Sequence, residues 1–88
     1  MNAQRRKALA KLSTEAAELI GKLEDLKSEI ETLRDEKQEY FDNMPESLQS
    51  GDKGQAAEAA IEQMDEAYNA LDEFLGADIA SLLDAAAE

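Results

Sequence analysis

Carboxylates are the reactive groups this chain holds in quantity, and they are regularly spaced. Glu58, Asp65 and Asp72 recur every seven residues, and Glu62, Glu66 and Glu73 fill the gaps between them. On a helix such neighbours lie about 5–6 Å apart along one side. A rod with carboxylates at that interval presents charge much as a nucleic-acid strand does, with phosphates about 3.4 Å apart along the duplex axis. It can enter a Lys/Arg groove made for that polymer, with an affinity that depends strongly on salt. The competing reading is a solvated face that keeps a small protein in solution. Soluble helices ordinarily intersperse both signs, and few lysines stand where they would neutralise this stripe.

Other chemistry is poorly supplied. Ser13, Thr14, Ser28, Thr32, Ser47, Ser50 and Ser81 have no histidine to activate them, because the chain has none. It also has no cysteine, hence no thiolate nucleophile, sulfur metal site or disulfide framework. Gly51 and Gly54 do not fit the spacing of a phosphate-binding loop. Residues 42–46 do not follow a calcium loop, and Pro45 would distort one. A di-iron bundle needs a Glu-x-x-His motif on two helices. The expectation is a protein that is not an enzyme and has no metal and no cofactor.

The elements that carry the stripe follow from composition and period. The 88 residues include 21 Asp+Glu against 9 Lys+Arg, a net charge of −12, which disfavours direct binding to nucleic acid or to an anionic membrane. No apolar run approaches the roughly 20 residues of a membrane span, and the basic start lacks the apolar stretch of a secretory signal. Valine is absent while Ala, Leu, Glu and Lys abound, which argues for helix against sheet. The length allows one domain, 1–88.

Leu9, Leu12, Ala16, Leu19, Leu23, Leu26, Ile30, Leu33, Lys37, Tyr40 and Met44 step by three and four in strict alternation. Five successive heptads of this kind predict a coiled-coil seam on one helix over about 3–42. Lys37 is its one charged member, either a snorkelling side chain or a register-setting polar residue. Pro45 ends the helix, and 43–54 reads as a turn, with Leu48 folding back as an apolar plug. A second helix is expected over about 55–87, with Ala57, Ile61, Met64, Tyr68, Leu71 and Leu75 as its seam. The pattern then shifts by four at Gly76. Either the helix continues with a changed twist or Asp78 caps a short last helix, and the pattern favours continuity with a mild kink.

Two such helices predict an all-α fold, an antiparallel two-helix coiled-coil hairpin with paired positions summing to about 98. Ile20, Phe41, Phe74 and Leu83 lie off the main seam, and dimerisation into a four-helix bundle would cover them. Charge is polarised along the chain. Residues 1–12 hold Arg5, Arg6, Lys7 and Lys11 and no acid, whereas residues 45–88 hold eleven acids and one base, Lys53. The basic start opposes the helix dipole, which fraying or an acidic partner would relieve.

Residues 39–49, Glu-Tyr-Phe-Asp-Asn-Met-Pro-Glu-Ser-Leu-Gln, resemble a segment of small acidic helical proteins encoded by bacteriophages and prophages, where it also joins a charged heptad helix to an acidic, Ala-rich one. The resemblance implies a phage origin and a bacterial cytoplasmic setting and assigns no reaction. Together these features predict an interaction protein, a homodimer, that binds and inhibits a host protein. In its sharpest form it is a DNA mimic acting on a basic, nucleic-acid-handling or defence factor through the 58–73 stripe. The alternative is a coiled-coil structural or adaptor protein whose function is oligomerisation.

Overall fold

The heptad run that starts behind Asn2 folds as one helix, α1 (Ala3–Asp42), in the computed structural model, which describes residues 2–87. Asn2 caps it, its side-chain oxygen accepting from the Arg5 N–H at 2.8 Å. Pro45 sits in an extended conformation and has no N–H to give, so the chain leaves the helix there. The Phe41 carbonyl at the end of α1 accepts from the Met44 N–H at 3.1 Å and also from Gln49 Nε2 at 3.0 Å. One helical turn, α2 (Glu46–Gln49), follows, then α3 (Asp52–Gly76) and α4 (Ile79–Ala86). No strand occurs among the described residues.

The connection is tighter than the spacing predicts. α3 begins at Asp52, and Gly54 is already buried in its first turn. A Cβ at Gly54 would collide with the Gln49 carbonyl and sit 2.6 Å from Gln49 Cα. The missing side chain therefore lets α2 lie directly on α3. Leu48 is exposed rather than folded back.

The second helix is not continuous over 55–87. It breaks at Gly76, and Asp78 adopts a left-handed conformation (φ 48°, ψ 63°) that Asp tolerates better than most residues. Its carboxylate accepts from the Ser81 N–H at 3.3 Å and from Ser81 Oγ at 2.7 Å, capping α4. The four-residue shift in the apolar pattern is thus a true stop and restart. The register records it: residue numbers sum to 99 in the cross-helix pairs Lys27–Asp72 and Arg34–Asp65, and to 93 where Ser13 meets Ala80.

The product is an antiparallel helical hairpin, a rod of 68 × 14 × 14 Å. Its radius of gyration is 19.9 Å, against about 12 Å for a compact chain of this length. The core is correspondingly thin. Among the described residues only Ser13, Gly54, Ala57 and Ile61 are buried, and no large side chain is fully enclosed.

The seam itself needs a correction. Leu9, Leu23, Ile30, Ile61, Met64, Tyr68, Leu71 and Leu75 are buried or half-buried, consistent with the expected seam. Leu12, Leu19, Leu26, Leu33 and Tyr40 are not covered, and each is 44–58% exposed. Their place is taken by the next column round the helix: Ser13, Ile20, Lys27, Arg34 and Phe41 are all buried or half-buried. The reason lies in polar partners. Ser13 Oγ donates to the Ala80 carbonyl at 3.1 Å, while Lys27 and Arg34 lay their stems along α3 and pair with its carboxylates.

Two glycine variants separate packing from propensity. Gly54→Ala should destabilise the hairpin by about 1–3 kcal/mol, the range for an overpacked core. Gly21 has open space around it, so Gly21→Ala should stabilise α1 by roughly 0.5–1 kcal/mol. Urea unfolding followed by circular dichroism reads both, and equal effects at the two sites would contradict the close α2–α3 approach.

Candidate functional site

A two-helix seam has two edges, and here they differ in kind. On one edge α1 offers cations and α3 offers the carboxylates of the expected stripe. Lys27 Nζ donates to Asp72 Oδ1 at 2.6 Å and stands 4.7 Å from the centroid of the Tyr68 ring. Arg34 Nε donates to Asp65 Oδ1 at 2.9 Å, and its Nη1 lies 3.5 Å from Asp35. Farther along, Glu58 and Glu62 border a shallow cleft with Gln38, Phe41 and Ile61. Hydrogen bonding to Asp72 pushes the Lys27 ammonium above its usual 10.5, and bonding to Asp65 raises Arg34 further still.

The six carboxylates therefore do not form one free stripe. Asp65 and Asp72 are committed to α1, while Glu58, Glu62, Glu66 and Glu73 are exposed and make no ion pair among the described residues. The neutralising cations come from the neighbouring helix and not from α3 itself. Lys27 and Arg34 sit seven residues apart, as do Asp65 and Asp72, a spacing that a register near 98 could have matched. Among the described residues no group of three or more acidic side chains is gathered closely enough to hold a metal ion, and no helix is long and apolar enough to cross a membrane.

The other edge is apolar. Leu19, Leu26, Phe74 and Ile79 border one groove, with Lys22 at its rim, and Leu33, Tyr40, Ala60 and Met64 border another farther toward the turn, with Glu36 at its rim. Ala60, Ala67 and Phe74 are spaced by seven on α3, so Ala67 falls between the two grooves on the same side. α1 contributes the row Leu12, Leu19, Leu26, Leu33 and Tyr40, and α4 adds Leu82, 61% exposed. Lys37 stands at the border of this edge with its ammonium 4.7 Å from the Tyr40 ring centroid. Contiguous apolar exposure along a whole face is uncommon on a protein that works alone.

Comparison with known proteins adds nothing to this geometry: no family model, no curated protein and no solved structure matches the chain.

The Lys27–Asp72 pair sets a pH dependence. Lys27 binds its proton more tightly folded than unfolded, so the pair's contribution is present below pH 10.5 and is lost as pH rises through the folded value. Thermal unfolding between neutral pH and pH 11 should show a smaller alkaline loss of stability in Lys27→Met than in the natural chain. Identical losses would mean that the pair makes no net contribution.

Proposed function

We infer that the chain is a non-enzymatic protein–protein association module and that its working surface is the apolar edge of the hairpin. The observation that carries this is the row Leu12, Leu19, Leu26, Leu33 and Tyr40, heptad-spaced and uncovered along the length of α1. A heptad column of leucines is what one helix presents to another. The flanking grooves supply holes for a partner's side chains, and the alanines of α3 leave room for close approach. This reading makes association itself the function, as in a structural or adaptor protein.

The test uses Leu19→Glu combined with Leu33→Glu. Both positions are exposed, so the hairpin should keep its helicity, with a change within about 0.5 kcal/mol per site if it stands alone. The natural chain on a resin should retain a protein, its own kind or another, and the double variant should lose it. Retention of the same set by both would remove the apolar edge from consideration.

A second reading is favoured by the four unpaired carboxylates Glu58, Glu62, Glu66 and Glu73. They point away from the apolar edge and form an anionic surface that a basic, nucleic-acid-handling protein can accept. With the likeness of residues 39–49 to phage proteins, it makes the chain a phage-encoded inhibitor of a bacterial host protein, acting in the host cytoplasm as a DNA mimic. Reversing all four to lysine should abolish capture of such a host protein. Capture by the natural chain should also vanish in about 1 M salt, where screening acts over about 3 Å. Capture that survives both changes would eliminate mimicry.

A further inference from the structure

We propose that the apolar edge is covered by a second copy of this chain, laid antiparallel on the first with α1 against α1 and Leu26 on the two-fold axis, so that two hairpins close one four-helix bundle. This rests on the reading above that the apolar edge is the working surface, and it names the partner.

Three observations lead there. The first is the symmetry of the exposed row about its own centre. With Leu26 on the axis, Leu12 meets the copy's Tyr40, Leu19 meets Leu33, and Leu26 meets itself, so no member of the row is left facing water or charge. An isologous contact of this kind is closed and self-limiting.

The second is charge. A parallel pairing would set Arg5, Arg6, Lys7 and Lys11 beside the same four residues of the copy, with no acid in the first twelve positions. The antiparallel pairing brings them instead to the end of the rod that carries Glu39, Asp42 and Glu46, all exposed near the turn. It also brings carboxylates to a helix N-terminus whose first turn holds no acid of its own. Nearer the axis the flanking contacts offset one another, Lys22 opposite Glu29 but Glu15 opposite Glu36, so the ends decide the orientation.

The third is area. The seven large side chains on this edge, the row of five with Phe74 and Leu82, are each 44–61% exposed. Covering them removes from water an area on the order of the 800 Å² per partner found in stable interfaces. The thin core of a single hairpin leaves that gain available.

The chain has no cysteine, so single-thiol variants report contacts without background. The purified 88-residue chain should sediment at twice its 9.6 kDa, and Leu19→Glu with Leu33→Glu should return it to the single mass. Under mild oxidation Leu26→Cys should link to itself, and Leu12→Cys should link to Tyr40→Cys when the two are mixed but not to itself. A dimer in which Leu12→Cys links to itself and not to Tyr40→Cys would overturn the orientation. A single mass at every concentration, with lysate capture still lost in the double glutamate variant, would overturn the second copy and leave the edge to a different partner. Unchanged mass and unchanged capture in that variant would overturn the proposal and the association reading together.

Discussion

A helix in a two-helix hairpin can bury only two adjacent columns of side chains, because the partner covers one side of it and nothing covers the rest. α1 has three columns suited to burial. They are headed by Leu9, by Leu12 and by Ser13, and each recurs every seven residues. The hairpin takes the first and third. Choosing the first and second would need α1 to rotate by roughly 50° about its axis, half the angle between successive residues. It would bury four leucines and a tyrosine in place of a serine, a lysine, an arginine, an isoleucine and a phenylalanine. By area alone, at about 25 cal/mol per Å² of apolar surface, that rotation is favourable. What opposes it is a set of directional contacts spaced along the seam: Ser13 with the Ala80 carbonyl, Lys27 with Asp72, and Arg34 with Asp65. Exposed ion pairs are individually weak. Placed along one edge of a rod, they act on a single rotational coordinate, and each resists the same displacement.

That constraint explains which parts of the fold were legible in the sequence. The span of α1 is visible because five heptads end at a proline, and both signals are local. The antiparallel register is visible because two seams must stay apolar together, which leaves few offsets open. The choice of columns is hidden. Ser13, Lys27 and Arg34 read as surface residues by type, and only a known register shows that a carboxylate or a carbonyl of the other helix stands opposite each. The same gap affected the acidic stripe, which looked uniform until α1 supplied cations to Asp65 and Asp72. The break at Gly76 is hidden for a different reason. The apolar steps continue past it with one four-residue shift, and a shift is compatible with a twist or a stop. Deciding between them takes the left-handed backbone of Asp78 and its bonds to Ser81.

The two edges of the seam are chemically independent, and this bears on how the readings of function relate. The exposed carboxylates of α3 lie on the ion-paired side and round toward the back of the helix, while the leucine row and the alanines face the other way. Covering the apolar edge therefore desolvates few of them, and the large penalty for burying an unpaired charge does not arise there. Association through the leucine row and anion presentation by Glu58, Glu62, Glu66 and Glu73 are compatible in one molecule. If two copies join as proposed, their acidic surfaces face outward on a thicker and stiffer scaffold. Rigidity favours recognition of a charged pattern, because fewer conformations have to be lost when a basic surface docks. In such an assembly the apolar edge would do the building and the carboxylates would supply the recognition.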